Sequence, residues 1–209
     1  MAETTEDPRP RRRQARGERR MAEILAAAAT VFARLGYEAA TTNKIAAEAG
    51  ISPGSLYQFF TNKEAIARAL VQDYLLELGR AHRGALDLAD PAGLGLVELV
   101  DRAVDPIVAF NLAHPGFKAL FARPDMPPEL AAALAPLQTA LRARVEQIIG
   151  ELAPHRDGTE RARAALTCVH IVQGVISLIT SADPAERPPL TGELKRALCG
   201  YLESLVARP

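Results

Sequence analysis

Gly50 is the residue that most constrains this chain. Before it, Thr42 to Ala49 reads as one short helix, with Ile45 and Ala46 starting an apolar face. After it, Ser52 and Pro53 open a second helix. Serine is a good N-cap, and proline suits the first helical position. Glycine between the two supplies a tight turn with an expected positive φ. Leu56 and Phe60 lie four apart and turn inward together. Asn62 then caps a further helix that begins at Lys63. Two short helices meeting at such a turn form a helix-turn-helix, whose second helix is built to enter a DNA major groove.

The rest of the chain reads as helix. Of 209 residues 48% are hydrophobic but only 5% aromatic, with no Trp. An Ala/Leu-rich composition suits packed helices, and no long run alternates with period two. The fold class is therefore all-α, with about nine helices. The first runs from about Gly17 to Leu35 and stops at Gly36. The fourth starts at Asn62 and reaches about Arg83. Asp90-Pro91 opens the fifth, which Pro106 kinks. His114-Pro115 opens a short sixth, with His114 as its cap. The seventh follows the RPDMPP loop, the eighth runs from Thr159 to about Ser181, and the ninth from Thr191 to Val206.

Net charge is zero, but its distribution is uneven. Residues 1 to 63 hold ten Arg and Lys against seven Asp and Glu, so +3, which leaves −3 for the remainder. A basic end on an acidic body suits an electrostatic footprint confined to one domain. Residues 1–16 are polar and Arg-rich, and read as a disordered basic arm or a start-site extension. Cys168 and Cys199 have no metal-ligand spacing, so no metal and no cofactor is expected. The chain shows no signal peptide and no apolar run long enough for a membrane, which points to the cytoplasm. His82, His114, His155 and His170 are scattered, and no GxSxG, Walker or GxGxxG pattern occurs, so no enzyme is expected.

The stretch from about Arg19 to Leu70, through FARLGYEAATTNKIAAEAGISPGSLYQFFTNKEAI, resembles the tetracycline-repressor-type (TetR) family of bacterial transcription regulators. Leu56-Tyr57, Phe60 and Asn62-Lys63-Glu64 carry the most specific part of that likeness. The resemblance implies a DNA-binding domain over residues 17–63 and a ligand-binding and dimerisation domain over residues 64–209. It implies a double-stranded DNA operator as partner, read by a homodimer that is most often a repressor. Thr42 would meet a phosphate, Lys63 would grip the opposite flank, and Tyr57 would contact DNA by its ring or hydroxyl. Asn43 stands where some members carry a base-reading arginine, and Phe59 where histidine or tyrosine is common. Ser52, Pro53, Gly54, Ser55 and Gln58 complete the outward face of the reading helix, with Asn43 and Lys44 beside it on the helix before.

For the body, the resemblance implies a small-molecule effector pocket and a homodimer through helices eight and nine. Phe110, Phe117, Phe121 and Met126 are the expected apolar wall. His170 and Gln173, on one face of helix eight with Ser177, are the expected polar contacts, or else a partly exposed polar face. The dimer face is expected to use Cys168, Ile171, Val172, Val175 and Ile179 with Leu194, Leu198, Tyr201 and Leu202, unless these are only core. The alternative is a DNA-binding dimer without an effector, whose body is packed solid.

Overall fold

The computed structural model describes residues 8–121 and 128–207, with side chains from 15 onward except 118, 119, 121 and 128–130. All regular structure among the described residues is helical. The elements are α1 (Pro8–Ala39), α2 (Thr42–Glu48), α3 (Pro53–Tyr57), α4 (Lys63–Leu86), α5 (Leu96–Ala113), α6 (Pro115–Phe121), α7 (Pro128–Leu152), α8 (Gly158–Ser181) and α9 (Arg187–Val206). They divide into two compact units, Met1–Gln72 and Asp73–Pro209.

In the first unit α1 begins at Pro8, not near Gly17. Pro8 and Pro10 fall in the first turn, where a missing N–H costs little, and the arginines that follow are good helix formers. Gly36 breaks α1 at φ 75°, ψ 166°, as its place after Leu35 requires. Ile24, Ala28, Val31 and Phe32 on α1 are buried, as are Ile45, Ala46, Leu56, Phe60, Ile66 and Leu70. The unit boundary after Gln72 leaves the first turns of α4 with this core.

In the second unit α7 packs on α8, α8 on α9, and α5 on both α8 and α9. One core joins Val100, Val104 and Val108 to Ile149, Ile176, Ile179, Leu194 and Leu198. A second sets Ala85 and Leu86 against Leu99 and Ile148. Polar clips fix the edges of this packing. Arg144 donates from Nε to the Leu86 carbonyl at 2.9 Å and from Nη2 to Leu88 at 3.0 Å. Lys195 on α9 bridges Asp101 and Asp105 on α5 at 2.9 and 2.6 Å.

Helix starts follow local capping chemistry. Asp157 and Glu160 form a complete capping box at the head of α8. Asp90 does not open α5; its carboxylate accepts from the Gly93 amide at 2.9 Å and closes a turn, and α5 starts later, at Leu96. An Asx turn of this kind competes with helix initiation for the same side chain. Pro106 and Pro136 lie inside α5 and α7. Helix α8, contrary to the expectation from sequence, is long and apolar enough to cross a membrane by length and composition, with mean hydropathy 1.6. Only 28% of that apolar stretch is buried within the chain, where Cys168, Ile176 and Ile179 join the core shared with α5 and α9.

Candidate functional site

The first candidate is the outer face of α2 and α3. Thr41 caps α2 by accepting from the Lys44 amide at 3.2 Å. The end of α2 closes as a Schellman motif: the Ile51 amide donates to Ala46 at 3.0 Å and the Gly50 amide to Ala47 at 3.1 Å. This closure needs φ 64° at Gly50. A Cβ there would meet nothing within 4 Å, so backbone conformation rather than space demands the glycine. Ser52 then caps α3 through the Ser55 amide at 3.1 Å, and its hydroxyl pairs with that of Ser55 at 2.9 Å.

With Leu56 fully buried, the rest of α3 faces outward: Pro53, Gly54, Tyr57 and Gln58 are exposed and Ser55 is half-buried. Tyr57 is 51% exposed, and its hydroxyl sits 3.0 Å from that of Thr42. This bond ties α2 to α3 and brings two hydroxyls to one spot. Asn43 and Lys44 are exposed, and the Lys44 Nζ donates to the Ala39 carbonyl at 2.9 Å. Lys63 is half-buried. Its Nζ donates to the carbonyls of Tyr37 at 2.9 Å and Glu38 at 3.4 Å, and lies 4.3 Å from the centre of the Tyr37 ring. Its ammonium has three donors, so one remains for an outside acceptor.

The second candidate is a partly open cavity of about 430 Å³ in the second unit. Leu78, His82 and Leu86 of α4 form one wall, with Val100, Val104 and Ile107 of α5, Leu141 and Val145 of α7, and Val172 and Ile176 of α8 on others. Its polar lining comprises His82, Asn111, Gln138, Gln173, Ser177 and Thr180, and no Asp, Glu, Lys or Arg lines it among the described residues. Desolvation by burial pushes His82 down to about 4 from its usual 6.5.

Two family models match the chain. One, described as "Tetracyclin repressor-like, C-terminal domain", covers residues 96–202. The other, "Bacterial regulatory proteins, tetR family", covers residues 24–70. The chain belongs to the TetR family.

It is thus a DNA-binding transcriptional regulator, of a family that is not enzymatic. Among its relatives, the HTH-type transcriptional repressor KstR2 of Mycolicibacterium smegmatis is 42% identical over 67 residues, which is 32% of this chain and 33% of that protein. The match to such relatives therefore spans about a third of their length. The HTH-type transcriptional regulator UidR of Escherichia coli K12 is 28% identical over 190 residues, 86% of this chain and 91% of its own. The fold is also that of the fatty acid degradation regulator FadR from Bacillus halodurans (TM-score 0.68, 20% identity, 90% of this chain and 97% of that one).

Within this TetR-family body the expected ligand contacts separate. Phe117 and Gln173 line the cavity. Phe110 does not: it is buried, stacks on His114 with ring centres 4.5 Å apart and meets Phe117 edge-on at 5.4 Å. His114, the C-cap of α5, holds it there, with Nδ1 at 2.9 Å from the Phe110 carbonyl and Nε2 at 2.8 Å from Glu77. His170 does not line the cavity either; it is exposed, on the side of α8 that carries Leu166, Gly174 and Leu178. Met126 and the side chain of Phe121 lie outside the described residues. The cavity histidine is His82, which spacing did not single out; its one signal was a place four after Leu78 and four before Leu86 on an apolar stripe.

Burial of His82 gives the body a pH dependence with a definite sign. Its folded value is depressed, so protons bind the unfolded chain first, and stability is lost as pH falls from about 6.5 toward 4. The expected loss between about pH 7 and pH 5 is about 2 kcal/mol. Urea midpoints of the wild type and His82→Leu at the two pH values check this. The variant should lose less than the wild type by that amount.

Proposed function

We propose that the protein is a homodimeric repressor that sits on a near-palindromic operator and is released when a small, mostly apolar molecule fills the body cavity. The observation that carries the reading is the cavity itself. A body that served only dimerisation would be packed at interior density, whereas this one keeps a partly open, mostly apolar cavity of about 430 Å³. Coupling of about 1–3 kcal/mol between ligand and DNA is enough for a switch. The setting in which it works is the cytoplasm.

On the DNA side, Thr42 and Lys63 are assigned to phosphates, Ser55, Tyr57 and Gln58 to the groove, and Asn43 and Lys44 to its flank. Gly54 and Pro53 keep the start of α3 low, so that the backbone approaches closely. Thr42→Ala is expected to weaken binding to every sequence while leaving the salt slope nearly unchanged, because a neutral hydroxyl displaces no counterion. Gln58→Ala is expected instead to change preference at one base pair, at about 1–3 kcal/mol. Anisotropy titrations on duplex variants at several salt concentrations separate these outcomes. Lys63→Ala also removes the bonds to Tyr37 and Glu38, so its DNA affinity is read beside a melting curve.

The release step is tested on an operator-bound complex. A library of neutral apolar compounds is screened for loss of anisotropy, first on the wild type and then on Leu141→Trp, whose ring occupies the cavity. A compound that frees the wild type and leaves Leu141→Trp bound supports the sensor. Compounds that free both equally act elsewhere, and the effector-free dimer then takes its place.

A further inference from the structure

The cavity is drawn out along the helices, and its polar and apolar linings lie at different ends. Helices α7 and α8 run antiparallel across a short loop, so the first half of α7 lies beside the second half of α8. Gln138 of α7 therefore shares one end with Gln173, Ser177 and Thr180 of α8. The other end is closed by Leu86, Leu99, Ile148, Ile149 and Cys168, all buried. Leu86, Leu99 and Ile148 meet in one core cluster, which brings α4, α5 and α7 together there. Asn111 is at the opposite end of α5 from Leu99, and His82 stands midway, one turn from each of Leu78 and Leu86. From Cys168 to Thr180 the lining runs along α8 for about 18 Å, at 1.5 Å per residue. A volume of about 430 Å³ over that length is a narrow slot. Gln138, Gln173 and Ser177 are exposed, so the slot opens at its polar end.

We propose that the cavity takes a single-chain amphiphile, with its alkyl chain laid toward Cys168 and its hydrogen-bonding head group held at the mouth by Gln138 and Gln173. This seating rests on the cavity being the effector site. At the polar end the Asn111 amide already donates to the Ile107 carbonyl at 2.8 Å, and the Thr180 hydroxyl to that of Ile176 at 3.0 Å. The amides of Gln138 and Gln173 have no hydrogen-bond partner among the described residues, and each offers a donor and an acceptor. A head group pushed to the closed end would lose water and meet only carbon and a thiol, a loss that the mouth avoids. The chain gains most at the closed end, where every methylene leaves water. A branched or globular molecule of the same volume does not fit a slot of this shape.

A ladder of 1-alkanols from hexan-1-ol to decan-1-ol reads the seating, by isothermal titration of the full-length protein. Wild-type affinity is expected to rise about fourfold per methylene. Cys168→Phe shortens the closed end and is expected to stop that rise early. Decan-1-ol should then bind at least about tenfold more weakly than to the wild type, with hexan-1-ol unchanged. Cys168→Met, a smaller intrusion, should act in the same direction if melting curves show that the phenylalanine unfolds the body. The double variant Gln138→Leu/Gln173→Leu is expected to weaken every alkanol by a similar factor, about threefold or more, and to keep the rise per methylene. An equal loss at all chain lengths in the folded Cys168 variants, or undiminished binding in the glutamine variant, overturns the seating and leaves the sensor reading standing. Failure of every alkanol to bind the wild type overturns it too, and the operator-release screen with Leu141→Trp then decides the sensor reading by itself. Alkanols that bind Leu141→Trp as tightly as the wild type lie outside the cavity, which overturns the seating and counts against the effector site as well.

Discussion

Replacing Leu56 by Ala is expected to cost about 2–5 kcal/mol and to abolish operator binding at growth temperature. Leu56 is 0% exposed, on a helix of only five residues. A helix this short has no stability of its own and is held by what it buries. A compact unit of this size keeps only a few kcal/mol in hand, so one core truncation removes most of it. Tyr57→Phe, one residue on, is the control. It deletes a half-exposed hydroxyl bonded to Thr42, which is worth about 1 kcal/mol or less to folding. Circular dichroism melts followed with operator anisotropy separate the two. Leu56→Ala should lose the fold and the DNA together, and Tyr57→Phe should keep the fold and bind DNA more weakly.

The second large effect separates core from interface in the body. Leu198 is 5% exposed, in the core with Val100, Ile149 and Leu194, so Leu198→Asp buries an unpaired carboxylate and is expected to unfold the body. Leu178 is 55% exposed on the side of α8 that carries Leu166, His170 and Gly174. Leu178→Asp is expected to leave the melt of the monomer nearly unchanged but to split the proposed α8–α9 dimer, at several kcal/mol. Sedimentation velocity against concentration reads this directly. A Leu178→Asp protein that stays a tight dimer moves the interface to another face.

These residues show how far the sequence could be read. The helix-turn-helix was legible because its signals are local: Gly50 needs its φ, Ser52 and Asn62 cap the helices after them, and Leu56 and Phe60 mark the inner face. In the body, periodicity found the helices and their apolar stripes, but it does not say what a stripe faces. Cys168, Ile179, Leu194, Leu198 and Leu202 belong by spacing to such stripes and were expected at the dimer face, yet all are buried within their own chain. His170 and Gln173 sit three apart on α8, about 60° around the helix axis, and that is enough to put one on the outer face and the other at the cavity. Phe110 and Phe117 share an aromatic cluster, but only packing against His114 decides which ring reaches the cavity. The start of α5 was misplaced because Asp90 can cap a turn as readily as a helix.

The most direct test of the account is selection of binding sites by the full-length protein from a pool of random duplex DNA. The expected product is a near-palindrome whose half-sites are centred about one helical turn apart, roughly 34–36 Å, or a multiple of it. Its affinity should fall with salt and with substitution of Thr42. An enriched single half-site, or no enrichment over random sequence, would contradict the reading of this chain as a dimer that places two copies of α3 in successive major grooves.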